Sequence, residues 1–175
     1  MKKRSQISVE YLIMISVSLM ILLPGTYMLS QYVFQSNDNI IHTRISEISN
    51  SILLEGKKMY FYGPPSKSVI DIDFPSGIEE MAVMNVDSDE YFLMFNVITS
   101  NGIEKKYVDS DYPIEVEFPV DPNFCGIECE GTCNCFNKTY FSPGLKHFKI
   151  EASEDCYTGA NFCVKIDEIS HELAK

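Results

Sequence analysis

An uncharged stretch of 27 residues, Tyr11 to Asn37, constrains this chain more than any other feature. It is strongly apolar from Tyr11 to Leu23 and weaker to Phe34. A helix needs about 20 apolar residues to cross a bilayer, so the stretch is long enough for one span. A basic head, Met1-Lys2-Lys3-Arg4-Ser5, precedes it. Basic residues before an apolar run hold the N-terminus on the cytoplasmic side, which places everything downstream outside the cytoplasm. Pro24-Gly25 interrupts the run and is expected to kink or loosen the helix there.

Charge is unevenly placed. The whole chain carries −11. Residues 1–10 hold Lys2, Lys3 and Arg4 against Glu10, which is +2, so residues 11–175 carry −13. A body this acidic repels phosphate backbones and argues against nucleic acid as a partner. The hydrophobic fraction of 45% excludes global disorder. The 175 residues accommodate an anchor and one small domain.

A secretory signal carries a small-x-small cleavage site after its apolar run. Leu22-Leu23-Pro24-Gly25-Thr26 fits that poorly. The small residue here is Ser5, before the run, and a cut between Ser5 and Gln6 keeps the apolar segment in the mature protein. Gln6-Ile7-Ser8-Val9-Glu10-Tyr11-Leu12 resembles the Q-x-S-x-E-Y-L motif of archaeal class III signal peptides, which belong to type IV pilin-like proteins. Gln6, Ser8, Glu10, Tyr11 and Leu12 all fall in register with it. Ser5 departs from the pattern, in which that residue is often glycine. The resemblance implies cleavage before Gln6 by a prepilin-type signal peptidase, then packing of the helix with copies of itself in a filament core. Glu10 becomes the fifth residue of such a mature chain. A carboxylate one turn into a membrane helix is costly unless it lies near the interface or is paired. The new α-amino group at Gln6 lies about one helical turn away, and that of a neighbouring copy is a candidate partner during assembly. Removal of residues 1–5 takes away +3 and leaves −14 in side-chain charge, from −11 minus 3.

After Asp38 the pattern becomes one-sided. Ile41, Ile45, Ile48 and Ile52 recur at spacings of four, three and four, the stripe of an amphipathic helix. This helix is expected to continue to about Lys57, with Gly56 near its end. Tyr60-Phe61-Tyr62 is expected to form a packing collar, and Gly63-Pro64-Pro65-Ser66 the hinge into a second domain.

From Ser68 the period is two. Val69–Phe74, Glu80–Val86, Tyr91–Ile98, Glu104–Val108, Ile114–Phe118, Leu145–Glu151 and Phe162–Ile166 read as short strands. The run at Tyr91 is the most apolar and is expected to be central. Ser100-Asn101-Gly102 is a hairpin turn. Asp87-Ser88-Asp89 and Asp109-Ser110-Asp111 are also read as turns. With Glu90, these are candidate weak calcium sites, although ordinary turn chemistry explains them as well. The carboxylate pairs Asp71/Asp73 and Glu115/Glu117 are expected on solvated strand faces. Asp167 to Lys175 is expected to be a short surface helix or a frayed end.

Cys125, Cys129, Cys133, Cys135, Cys156 and Cys163 all lie in the last third. An even count in a small domain behind an export signal reads as disulfides. A C-x3-C-x3-C-x-C run is more compressed than the spacing zinc sites favour, so no metal is expected. Residues 119–142 are expected to form a stapled loop rather than a strand. Cys133 and Cys135 are too close to pair comfortably with each other. A nested pairing, Cys129–Cys133 inside Cys125–Cys135, suits a hairpin there, and the crossed pairing stays open. Cys156 and Cys163 flank Tyr157-Thr158-Gly159-Ala160 and are expected to staple a second hairpin. Asn137-Lys138-Thr139 is the one N-x-S/T sequon and a candidate glycosylation site. His42, His147 and His171 share no spacing that suggests a ligand set. With no phosphate-cradling glycine loop and no hydrolase elbow, neither catalytic residues nor a cofactor are expected.

The fold expected is α+β: a long N-terminal hydrophobic helix, then an antiparallel β-sandwich-like domain with a disulfide-rich loop. The layout is a leader at 1–5, a helix at 6–58 serving as membrane anchor and filament core, a hinge at 59–67 and an extracytoplasmic domain at 68–175. The downstream layout loosely resembles the sandwich domains of archaeal pilin-like proteins. The function expected is a structural subunit, major or minor, of a type IV pilus-like surface filament, with an adhesive role open to its outer surface and residues 121–140. The partners are the peptidase, membrane lipid and copies of itself. The alternative is a single-pass, membrane-anchored binding protein that never polymerises.

Overall fold

A computed structural model describes residues 3–87, 90–117, 119 and 132–169. The helix α1 spans Lys3–Tyr62, with Pro24 inside it. Proline removes one backbone hydrogen bond, which local irregularity absorbs, and Pro24 does not end the helix. The chain packs as two units, Met1–Ile40 and Ile41–Lys175. The boundary falls where the sequence of α1 changes from apolar on every side to apolar on one. The second unit, from Ile41, takes in the C-terminal third of α1.

In the first unit, Val9 to Phe34 presents apolar side chains all round. Met14, Met20, Met28 and Tyr32 are each at least 68% exposed. In the second unit the isoleucine stripe is buried. Ile45 and Ile52 have no exposed surface, and Ile41, Ile48 and Met59 have little. Burying such a side chain contributes about 1.5–3 kcal/mol.

Eight strands follow: β1 Lys67–Phe74, β2 Ile78–Asp87, β3 Glu90–Thr99, β4 Gly102–Ser110, β5 Ile114–Val116, β6 Thr132–Cys135, β7 Gly144–Ser153 and β8 Cys163–Glu168. They form two four-stranded sheets, ordered β1-β7-β8-β5 and β4-β3-β2-β6. Strand β3 is interior in its sheet, as its apolar sequence requires. The two-residue turn Ser100-Asn101 joins β3 to β4, with Gly102 at φ 122° opposite Thr99. Ile72, Phe74, Phe148 and Ile150 from the first sheet share one core with Met81, Leu93, Phe95 and Val97 from the second, and with the stripe of α1.

Several expectations are corrected. The helix runs past Lys57 to Tyr62. Gly56 does not end it; it lies buried under the ring of Tyr112, where an added Cβ would come within 2.4 Å of the Tyr112 hydroxyl. The helix ends instead at Gly63, at φ 71°, whose N–H donates to the Met59 carbonyl. The aromatic collar is divided: Tyr60 stacks on Phe162 with centroids 4.5 Å apart, while Phe61 and Tyr62 are exposed. The sheets are not wholly antiparallel, because β5 pairs with β8 in parallel. The run at Ile114–Phe118 is a three-residue strand, and all three residues are buried. Within the expected cysteine loop, Thr132–Cys135 is a strand bound to β2. Backbone pairing to an existing edge outweighs its weak strand composition. Asp109 and Ser110 belong to β4 rather than to a turn, and Asp167 and Glu168 to β8. Ser88, Asp89 and residues 170–175 lie outside the described residues.

Tyr112 ties α1 to the β4–β5 connection. Its hydroxyl donates to the Leu53 carbonyl at 2.7 Å. Burial raises its pKa well above that of an ordinary tyrosine, and Asp111 adds to the rise. The neutral phenol is the form the fold accepts. The stability it supports is thus complete below about pH 10, the pKa of a free tyrosine, and declines as pH rises above it. Urea titrations between pH 8 and 12 should show this alkaline loss, reduced in Tyr112→Phe. Gly56→Ala should destabilise by about 1–3 kcal/mol through overpacking against Tyr112, measured as a lower urea midpoint with an unchanged slope.

Candidate functional site

Two regions carry the residues singled out by the sequence. The first is the start of α1. Ser5, Gln6 and Ser8 lie on its backbone, and Glu10, Tyr11 and Leu12 are exposed on it. Lys2 lies outside the described residues. An 18-residue window of this helix has a mean hydropathy of 2.0 and none of it is buried. By length and composition, α1 is able to cross a membrane.

Five polar side chains within the apolar run donate hydrogen bonds inside the helix. Ser16 donates to the Leu12 carbonyl and Ser18 to that of Met14, both at 2.8 Å. Thr26 donates to Leu23 at 2.9 Å and Ser30 to Tyr27 at 2.8 Å. The Gln31 amide donates to the Tyr27 hydroxyl at 2.8 Å. In an environment without water, each such donor would otherwise be left costly and unpaired. The helix is therefore chemically prepared for lipid or for other helices on every side.

The second region is the far end of the sheet β1-β7-β8-β5. Cys156 and Cys163 form the expected disulfide, which closes the β7–β8 connection. Cys133 and Cys135 are both disulfide-bonded as well. Cys125 and Cys129 lie outside the described residues, as does the choice between nested and crossed pairing. There is no free cysteine among the described residues.

Glu115 is the residue that sequence reasoning misplaced. Expected on a solvated face, it is completely buried. Its carboxylate accepts the backbone N–H of Tyr157 at 3.1 Å and of Thr158 at 2.8 Å, and the Thr158 hydroxyl at 2.8 Å. Backbone amides meet a buried carboxylate well, so Glu115 holds down the loop that the disulfide closes. Lys165, its parallel neighbour on β8, turns to Asp155 at 3.9 Å and lies over the Tyr157 ring at 5.2 Å from its centroid. The oxygens of Glu115 and the sulfurs of Cys156 and Cys163 lie within 4.8 Å of one another. The two sulfurs are bonded to each other, so this trio offers no thiolate pair to a metal.

Glu117 also departs from a plain solvated role. It pairs with Lys149 at 2.6 Å, and Glu151 and Asp167 lie on the same ammonium. Burial lowers the pKa of Lys149, but these carboxylates outweigh it and the net change is upward. The histidines are apart: His42 faces Glu104 at 3.3 Å, His147 pairs with Asp71, and His171 is outside the described residues. In the candidate calcium turn at 109–111, Asp111 is held by Lys57 at 2.8 Å, which lowers its pKa. Asn137 is exposed on a turn, its side-chain oxygen accepting the Thr139 N–H at 3.2 Å. An open groove of about 370 Å³ lies between α1 and the end of β4, lined by Leu53, Leu54, Lys57, Val108 and Tyr112.

Glu115→Ala should leave two part-buried backbone amides and a hydroxyl without their acceptor and lower stability by about 2 kcal/mol. It should also speed reduction of Cys156–Cys163 by a thiol, measured by timed alkylation and mass spectrometry. Comparison with protein-family models, curated proteins and solved structures returns no match.

Proposed function

We propose that this chain is a structural subunit of an archaeal type IV pilus-like surface filament. Gln6-Ile7-Ser8-Val9-Glu10-Tyr11-Leu12 opens a helix whose next 24 residues, 11–34, present apolar side chains to the outside on every face. That combination carries the reading. A helix apolar all round requires lipid or a bundle of like helices, and a processed, retained segment meets lipid first and its own copies afterwards. Glu10 is exposed at the start of the run, one turn from the amino group that cleavage before Gln6 creates. Disulfides at Cys133, Cys135, Cys156 and Cys163 support an extracytoplasmic position for the second unit.

The mechanism is assembly rather than catalysis. Helix packing forms the core, Glu10 sets register against a neighbour, and the sheet domain faces outward, carrying any adhesive contact and a glycan at Asn137. The exposed apolar helix suits a permanent lipid anchor too, which is the competing reading of the same observation. Edman sequencing or mass spectrometry of the mature protein should find Gln6 at the N-terminus. Surface filaments containing this chain should be lost in Glu10→Ala while the processed protein still accumulates in the membrane. A mature chain beginning at Met1 would overturn processing. A processed chain that never leaves the dispersed membrane fraction would make it the anchor.

A further inference from the structure

Both sheets end on a long strand with one unpaired side among the described residues. Strand β1 has β7 as its one neighbour and β4 has β3. Exposed edges of eight and nine residues offer a row of backbone donors and acceptors to another chain. On each strand the inward side chains are committed to their own domain. Ser68 donates to Glu55, while Ile72 and Phe74 are in the core. Lys106 donates to the His42 carbonyl and the Ser46 hydroxyl, and Glu104 faces His42. The outward side chains are exposed: Lys67, Val69, Asp71 and Asp73 on β1, and Ile103, Lys105, Tyr107 and Asp109 on β4.

These two outward rows are complementary when laid antiparallel. One register sets Lys67 opposite Asp109, Val69 opposite Tyr107, Asp71 opposite Lys105 and Asp73 opposite Ile103. Two opposite-charge pairs and one aromatic–β-branched pair are the cross-strand combinations that stabilise sheets. In a body carrying −13, copies repel at long range, so contact between them needs local patches of this kind.

We propose that edge β1 of one copy pairs antiparallel with edge β4 of the next, joining the sheet domains of neighbouring subunits. This rests on the filament reading above, with a second copy of the chain as the partner. Like-with-like pairings also bring opposite charges together, Lys105 against Asp109 or Lys67 against Asp71. Such two-fold pairs close on themselves, whereas a pairing of two different edges leaves β4 open on one copy and β1 open on the other, and so propagates. Asp71 already holds His147 of its own sheet, and it meets Lys105 from the other side.

The test uses the full chain in its membrane, grown as a mixture of unlabelled and ¹⁵N-labelled protein and treated with a water-soluble carbodiimide. This reagent joins touching carboxylates and amines. Mixed-isotope peptides linking Asp71 or Asp73 to Lys105, and Asp109 to Lys67, are expected. Asp71→Lys or Lys105→Asp alone should reduce that link and the multimer ladder about tenfold, and the double variant should restore both. Links confined to Lys105–Asp109 or Lys67–Asp71, or single variants that leave the ladder unchanged, would overturn the edge pairing. If links between the Gln6 amine and Glu10 of different copies persist in those cases, the filament reading stands. If no intermolecular link of any kind forms, both fall.

Discussion

The second unit depends on one stripe of side chains. Ile41, Ile45, Ile48 and Ile52 of α1, with Met59 about two turns further on, share a core with the inner residues of both sheets. The short strand β5 adds Ile114 and Val116 to that core, and no residue of β6 belongs to it. The helix is therefore not a tether with a domain hung from it. Its C-terminal part is a structural element of the domain, and its N-terminal part is, by length and composition, able to cross a membrane. One continuous helix serves both because the change from all-round to one-sided apolarity takes place within a few residues around Ile40.

Polar groups then decide how the remaining elements are held. Tyr112 reaches across Gly56 to the Leu53 carbonyl and pins the β4–β5 connection to the helix. Lys57–Asp111 lies at the same contact, but on exposed side chains, where solvent screens such a pair and it contributes little. Glu115 fastens the loop after β7 from beneath while the Cys156–Cys163 disulfide closes it covalently. A small domain gains from both. The disulfide restricts the unfolded chain, and the buried carboxylate makes one loop conformation the one that satisfies its amides.

Much of this was legible beforehand, and the reasons are physical. The stripe at Ile41 was readable because a helix repeats every 3.6 residues and one face met the core. The hairpin at Ser100-Asn101-Gly102 was readable because a left-handed backbone position favours glycine. The Cys156–Cys163 bridge was readable because the two cysteines flank the short run Tyr157-Thr158-Gly159-Ala160 in a chain with an even cysteine count. Gly56 misled because glycine serves equally as a helix terminator and as a site of close approach, and only Tyr112, 56 residues further along the chain, distinguishes the two. Glu115 misled because alternation assumes one wet face. The loop 154–158 covers that face, and nothing in Ile114-Glu115-Val116 records it. Thr132–Cys135 misled because a strand at a sheet edge takes its structure from its neighbour's backbone rather than its own composition.

By itself the sequence determined where the chain is apolar on every side and where it becomes apolar on one. A basic head, an uncharged stretch from Tyr11 to Asn37 and the isoleucine stripe that begins at Ile41 are read from it directly. Those properties depend on residue type and local order, which need no partner to be read. Only the tertiary structure decided which carboxylate was buried, which glycine was crowded, where the second unit begins and which long strands lie at the sheet edges among the described residues. Each of these depends on residues distant in sequence meeting in space, and their energies arise from burial and pairing that no local pattern contains.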